Sequence, residues 1–186
     1  MQEDFFLDNS FQTILDRDGQ VIYYPQALSG LDFERLKSEI TWEEHEITLY
    51  GKTHNVPRLS AFFADNPNSS YPYSGITMQA HPWSNYLKEI KSLAEIKVGN
   101  YYNCALVNLY RGGTDYAAWH SDDERELDPN SSILSLSIGE SRRFSLMHKT
   151  DKGQEKVVID LHDGDLVLME PPLQKHWKHQ LNKTAK

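Results

Sequence analysis

Residues 133–148 read I-L-S-L-S-I-G-E-S-R-R-F-S-L-M-H. From Ile133 to Ile138 the apolar side chains recur every second residue, the pattern of a strand with one face buried. Gly139 interrupts the run, and residues 143–148 resume it. The same period extends outward in both directions. Residues 101–110 alternate aromatic and apolar side chains, and residues 157–161, 166–169 and 177–181 are further short strand-like runs. Gly153 and the cluster Asp163-Gly164-Asp165 punctuate them as turns. Many short strands at close spacing predict a sandwich or a closed jelly roll. Upstream the period becomes helical. A helix is expected over residues 31–39, capped by Ser29 or Asp32, with Phe33, Leu36, Lys37 and Ile40 at amphipathic spacing. A second is expected over residues 82–96, opened by Pro82 and carrying Trp83, Tyr86, Leu87, Ile90, Leu93 and Ala94. The fold class is therefore α+β, with the β core in the C-terminal half and the helices over one face.

No repeat and no linker divides the chain. The best loop, residues 66–73 (N-P-N-S-S-Y-P-Y), is too short and too aromatic for a linker. The 186 residues are read as one domain. Residues 1–98 form its N-terminal part and residues 99–186 its β core. The net charge is −8, yet residues 1–50 hold 11 acidic and 3 basic side chains while residues 51–186 hold 16 of each. The acidic total therefore does not exclude a phosphate-facing surface later in the chain, and after Glu170 the sequence carries lysines and no acid.

The single cysteine, Cys104, excludes a disulfide framework and a cysteine-based zinc site, and a reducing compartment follows. In its apolar run Cys104 reads as a small buried hydrophobe. No basic n-region precedes an apolar stretch at the start, and no run approaches the ~20 apolar residues of a membrane span. A cytoplasmic protein is expected, nucleoid-associated in a bacterium or nuclear in a eukaryote. Nothing demands an oligomer, so a monomer is expected.

Chemistry concentrates at Trp119-His120-Ser121-Asp122. On extended backbone, residues two apart point the same way, so His120 and Asp122 can aim an imidazole and a carboxylate at one point. A third ligand from a distant strand would complete a 2-His-1-carboxylate triad, which leaves open positions on Fe(II). His176 and His179 are the candidates, and at most one of them serves. H-x-D alone equally describes a surface histidine beside an acidic turn, and a zinc hydrolase could use the same ligand types. His148 and His162 read as structural, and His45, His54 and His81 as solvated.

The residues around this motif resemble the AlkB family of Fe(II)- and 2-oxoglutarate-dependent nucleic-acid demethylases. The resemblance rests on residues 108–115 (N-L-Y-R-G-G-T-D), 119–124 (W-H-S-D-D-E), 133–139 (I-L-S-L-S-I-G), Arg142-Arg143-Phe144 before Lys149, Asp163-Gly164-Asp165-Leu166 and 176–179 (H-W-K-H). Upstream, Tyr50-Gly51-Lys52 with Val56-Pro57-Arg58, and residues 71–75 (Y-P-Y-S-G), look like the branch acting on double-stranded DNA.

The resemblance implies a double-stranded β-helix with an N-terminal nucleotide-recognition lid. It implies that His120, Asp122 and His179 bind Fe(II), and that Asn108 and Tyr110 bind 2-oxoglutarate. Tyr73 would stack on a flipped base, Glu124 would read its exocyclic edge, Tyr50 would fill the gap in the stack, and Arg58 would lie near the DNA backbone. The implied reaction consumes O₂ and 2-oxoglutarate. It removes an N-methyl group from 1-methyladenine or 3-methylcytosine in DNA, releasing formaldehyde, succinate and CO₂. A base must leave the stack before such a centre reaches it, and stacking on an aromatic offsets ~1–3 kcal/mol of that cost. A non-catalytic nucleic-acid-binding relative, or a dioxygenase acting on RNA or another substrate, are the alternatives.

Family members follow the last ligand with a strand of the type R-x-N-x-T-F-R, whose first arginine pairs with the far carboxylate of 2-oxoglutarate. The sequence reads N-K-T-A-K at 182–186 and stops before it. The expectation is a core lacking its last strand, through truncation rather than impaired co-substrate binding. Arg142 and Arg143 belong to an earlier strand and offer no clear substitute.

Overall fold

The computed structural model describes residues 10–49, 51–73 and 75–185. The described chain opens with the hairpin β1 (Gln12–Asp16) and β2 (Gln20–Tyr24), followed by helix α1 (Phe33–Glu39). Five short strands come next: β3 (Glu46–Leu49), β4 (Lys52–Asn55), β5 (Leu59–Ala64), β6 (Ser70–Tyr73) and β7 (Ile76–Gln79). Helix α2 (Asn85–Val98) leads to β8 (Cys104–Leu109), β9 (Ala117–His120), β10 (Ile133–Leu136) and β11 (Arg142–His148). The chain closes with β12 (Val157–Leu161), β13 (Leu166–Glu170), the short helix α3 (Leu173–His176) and β14 (Trp177–Leu181).

Two four-stranded antiparallel sheets, ordered β1-β2-β13-β10 and β12-β11-β14-β9, form the core. Val21, Val167 and Met169 from the first meet Phe144, Leu146, Leu161 and Trp177 from the second. Leu146 is completely buried, a contribution of about 1.5–3 kcal/mol for a side chain of its size. This face-to-face β architecture agrees with a jelly roll. The β core is not confined to residues 99–186, however, because β2 pairs with β13 along its whole length. The hairpin turn at Asp18-Gly19, with φ of 51° and 120°, makes that pairing possible. Gly19 also admits a close neighbour, since a Cβ there would stand 2.5 Å from the Leu173 nitrogen. The Trp177 indole donates to the Arg17 carbonyl at 2.9 Å, so the hairpin fixes α3 and the start of β14.

The helices lie where the sequence places them, with shifted ends. Asp32 caps α1 by accepting from the Arg35 amide. Helix α2 begins at Asn85 rather than Pro82, because the extended Ser84 caps it through Leu87 N, and left-handed Gly99 ends it. Leu36 and Ile40 pack with Tyr86, Leu87 and Ile90 against Ala61 and Phe63 of β5. Buried Asp165, in the turn before β13, accepts from Tyr23 Oη, Gln26 N and His162 N, each at 2.7 Å.

Among the described residues β8 pairs with β5 alone and β10 with β13 alone. Both strands line one cleft of about 2430 Å³. It is larger than the ~300–1,000 Å³ of ordinary small-molecule pockets. No described helix is long and apolar enough to cross a membrane.

Candidate metal centre and substrate cleft

β14 lies beside β9 with His179 directly opposite His120. That register, with the two-residue step from His120 to Asp122, brings three side chains to one point. Asp122 Oδ1 is 3.5 Å from His120 Nε2, and Asp122 Oδ2 is 3.4 Å from His179 Nε2. One ligand atom from each lies within 4.8 Å of the other two. His120 Nδ1 is 2.8 Å from the Ala118 carbonyl. A carbonyl only accepts, so Nδ1 carries the proton and Nε2 presents its lone pair to the centre. The Asp122 backbone amide donates to Gln174 Oε1 at 3.0 Å and Ser121 Oγ to the Trp177 carbonyl at 2.8 Å, which holds the loop against α3 and β14. His176 ends α3 with its ring 6.2 Å from that of His148 and takes no part.

The electrostatics are those of a cation-binding donor set. Burial pushes the Asp122 carboxyl up to about 6, against the pull of His120 and with the help of Glu124 and Asp123. Burial and then the His120 charge push His179 down to about 3. Two imidazoles and a crowded carboxylate suit a divalent ion, whose charge reverses these penalties. The nitrogen-and-oxygen composition fits Fe(II).

Asn108 and Tyr110 line the cleft with the triad. Asn108 Oδ1 accepts from Arg58 Nε and from Ser60 Oγ, both at 2.9 Å. With its oxygen engaged twice, the amide has its NH₂ donors left to offer a ligand. Burial pushes the Tyr110 hydroxyl above its ordinary value, opposed by the positive charges of Arg58 and Arg142. Arg58, expected near the DNA backbone, is only 7% exposed, and its Nε donates to Asn108 Oδ1 at 2.9 Å.

Tyr73 is half-buried at the end of β6, with the Arg58 guanidinium 5.7 Å from its ring centroid. Glu124 Oε2 is buried and has no hydrogen-bond partner. Beside it, burial and the charges of Glu124 and Asp122 push the Tyr71 hydroxyl far up. Tyr50 lies outside the described residues. Two smaller expectations also change. His45 is not solvated, with its side chain only 12% exposed and 3.5 Å from Glu43, and His81 Nε2 meets Glu43 Oε1 at 2.8 Å. Cys104 is half-buried, and burial raises its thiol above the ordinary value.

Sequence reasoning missed Ser60, Gln174 and the inward turn of Arg142. Ser60 sits opposite Asn108 in the β5–β8 register, a relation that only the pairing reveals. Gln174 lies in a four-residue helix too short to leave a periodic pattern.

The comparisons agree with this geometry. The sequence pattern of the 2OG-Fe(II) oxygenase superfamily matches residues 21–186. The DNA oxidative demethylase ALKBH2 of Mus musculus is 36% identical over 169 residues, covering 86% of this chain and 70% of that protein. The Homo sapiens protein of the same name is 35% identical, covering 86% and 64%. The alpha-ketoglutarate-dependent dioxygenase alkB homolog 3 of Homo sapiens is 35% identical over 158 residues, covering 81% and 54%. The chain thus spans between about half and 70% of these relatives' lengths. Among solved structures, OsALKBH1 superposes with a TM-score of 0.61 at 13% identity, over 94% of this chain and 88% of that one. An oxidoreductase of the 2OG-Fe(II) oxygenase family from Burkholderia pseudomallei gives 0.54 at 10% identity, over 89% and 80%. The fold, the convergent donor set and these identities together make the chain a member of the 2OG-Fe(II) oxygenase superfamily and, within it, of the AlkB family, with ALKBH2 and ALKBH3 proteins among its relatives.

Proposed function

We propose that the chain is a single dioxygenase domain that removes N-methyl groups from 1-methyladenine and 3-methylcytosine in DNA. The observation that carries this reading is the convergence of His120, Asp122 and His179 in the same cleft as Asn108, Tyr73 and the orphaned Glu124 oxygen. His120, Asp122 and His179 hold Fe(II). When bound, the iron with 2-oxoglutarate and O₂ supplies the oxidising power that hydroxylates the N-methyl carbon, and the hydroxymethyl group then leaves as formaldehyde. Asn108 donates its fixed NH₂ to the co-substrate, and Tyr110 closes the cavity beside it.

The base-recognition roles follow from chemistry. Methylation at N1 of adenine or N3 of cytosine leaves a cationic base with an exocyclic amine. Glu124 offers an unpaired buried acceptor for that amine and a negative charge for the ring. Tyr73 supplies the stacking face. Duplex DNA is the proposed form, with the exposed strand β4 leading within three residues to Arg58 in the cleft wall. The compartment is the one that holds DNA.

The test is formaldehyde release from oligonucleotides carrying 1-methyladenine or 3-methylcytosine, offered as duplex DNA, single-stranded DNA and RNA. Release that needs both Fe(II) and 2-oxoglutarate and is fastest on the duplex is expected. Co-substrate turnover without formaldehyde from any methylated nucleic acid would remove the reading. Equal rates on RNA and duplex DNA would remove its strandedness.

A further inference from the structure

Asp122 is the one donor of the triad that no strand holds. It lies beyond the end of β9, outside the ladder that sets His120 opposite His179. Its backbone amide goes to a side chain instead, donating to Gln174 Oε1 at 3.0 Å. An N–H needs an acceptor, so the Gln174 oxygen faces the loop and its NH₂ turns to the Met169 sulfur at 3.6 Å. The next loop residue is held from the same place. Lys149 Nζ donates to the Gln174 carbonyl at 2.8 Å and to Asp123 Oδ2 at 3.1 Å. Gln174 thus reaches Asp122 through its side chain, and Asp123 through its carbonyl and Lys149.

The side chain is launched from a fixed backbone. Leu173, just before it, and Trp177, three residues after it, are both fully buried in the core between the sheets. The turn of the β1–β2 hairpin closes over them. Gly19 lies against the Leu173 backbone, and the Trp177 indole donates to the Arg17 carbonyl at 2.9 Å. The loop that Gln174 holds alternates in exposure. Asp123 is exposed, whereas Asp122 and Glu124 on either side of it are half-buried. Tying the Asp122 amide and the Asp123 carboxylate to one helix keeps Asp123 outward and its two neighbours turned in. A carboxylate ligand must be placed within a fraction of an ångström, and the groups that orient a ligand tune metal affinity. Resting on the proposed metal-binding role of His120, Asp122 and His179, we propose that Gln174 is the positioning residue for Asp122. Through this one carboxamide, α3 sets where the carboxylate stands relative to the two imidazoles.

The experiment is equilibrium dialysis with Mn(II), with the visible spectrum of the Co(II)-loaded protein as the report of ligand geometry. Gln174→Met keeps the length of the side chain and removes the acceptor. Mn(II) affinity is expected to fall about 10-fold or more, the range for groups that orient ligands, and the Co(II) bands to shift. Gln174→Glu restores an acceptor at the same reach, and should return the wild-type spectrum and most of the affinity. Lys175→Gln, exposed and next on α3, should change neither. Melting temperatures are read in parallel. If Gln174→Met fails to fold, Gln174→Asn, one methylene short of the Asp122 amide, takes its place with the same expected loss. Wild-type affinity and spectrum in the folded variant would overturn the inference and leave the metal centre standing. A loss that Gln174→Glu does not restore would assign Gln174 to the packing of α3 and overturn it as well. A wild-type protein that holds no Mn(II) would remove the proposed centre and the inference with it.

Discussion

His179 faces His120 across a ladder inside a four-stranded sheet, whereas Tyr73 ends a two-stranded hairpin whose strand partner is β7 alone. The metal wall is braced from both sides. β14 pairs with β9 and with β11, and Leu146, opposite His179 on β11, is completely buried. The recognition wall is anchored differently. Tyr71 and Met78 pin the β6–β7 hairpin onto Phe62 and Ala64, while β4 of the neighbouring hairpin is exposed throughout. Ligands that must meet within a fraction of an ångström need sheet rigidity. On the proposed function the Tyr73 side admits a flipped base, and such a surface tolerates hairpins with fewer constraints. The two walls should therefore respond to substitution in separable ways.

The largest effect tests the metal wall itself. Asp122→Ala removes the only charged donor, and Mn(II) affinity should fall by about 4 kcal/mol, on the order of 10³-fold, read by equilibrium dialysis. The urea midpoint should change little, because Asp122 follows the end of β9 and lies outside the ladder. A variant that keeps its metal would mean that the three side chains converge for another reason.

Next comes the scaffold beneath that wall. Leu146→Ala should cost about 3 kcal/mol in urea unfolding, through lost burial and the cavity left behind. It should also weaken metal binding, since β11 sets the position of His179. Lys52→Ala, on exposed β4, should stay within about 0.5 kcal/mol. Similar losses at both positions would erase the distinction between the walls.

On the recognition side, Tyr73→Ala should weaken binding of methylated DNA by about 2 kcal/mol, a typical base–aromatic stacking contribution, read by fluorescence anisotropy. Metal affinity should stay unchanged. A parallel loss of metal would show that Tyr73 supports the centre through Arg58 and Asn108, which lie between the two walls.

The same contrast explains what the sequence could reveal. His120 and Asp122 were legible because a period of two on extended backbone is a local rule, and 133–138 showed its face just as clearly. The β1–β2 hairpin was not, since Asp16-Arg17-Asp18-Gly19 reads as a charged loop until β13 supplies a partner for β2. The resemblance placed Arg58 near the DNA backbone, and its hydrogen bond to Asn108 could not be read from the sequence. The inward turn of Arg142, next to an outward Arg143, follows from strand alternation, yet its unused Nε appears only once the cleft is assembled.

The smallest effect concerns the loop joining the walls. Asp115 accepts from Arg111 N, Nε and Nη2, while its own carbonyl receives Arg142. The Arg111 guanidinium holds the Asp115 carboxyl below the ordinary carboxylate range, against the opposing effect of burial. A carboxyl depressed in the folded state contributes stability that is fully present above its unfolded value, ~3.9, and is lost as pH falls through the folded value. Arg111 is 45% exposed, so solvent screening keeps the contribution small. Asp115→Asn should therefore lower the urea midpoint modestly at pH 7, and the gap from wild type should close as the pH falls below about 4. A gap that persists in acid would mean that Asp115 acts through hydrogen-bond geometry and not through its charge, and the loop would then tie the walls together independently of pH.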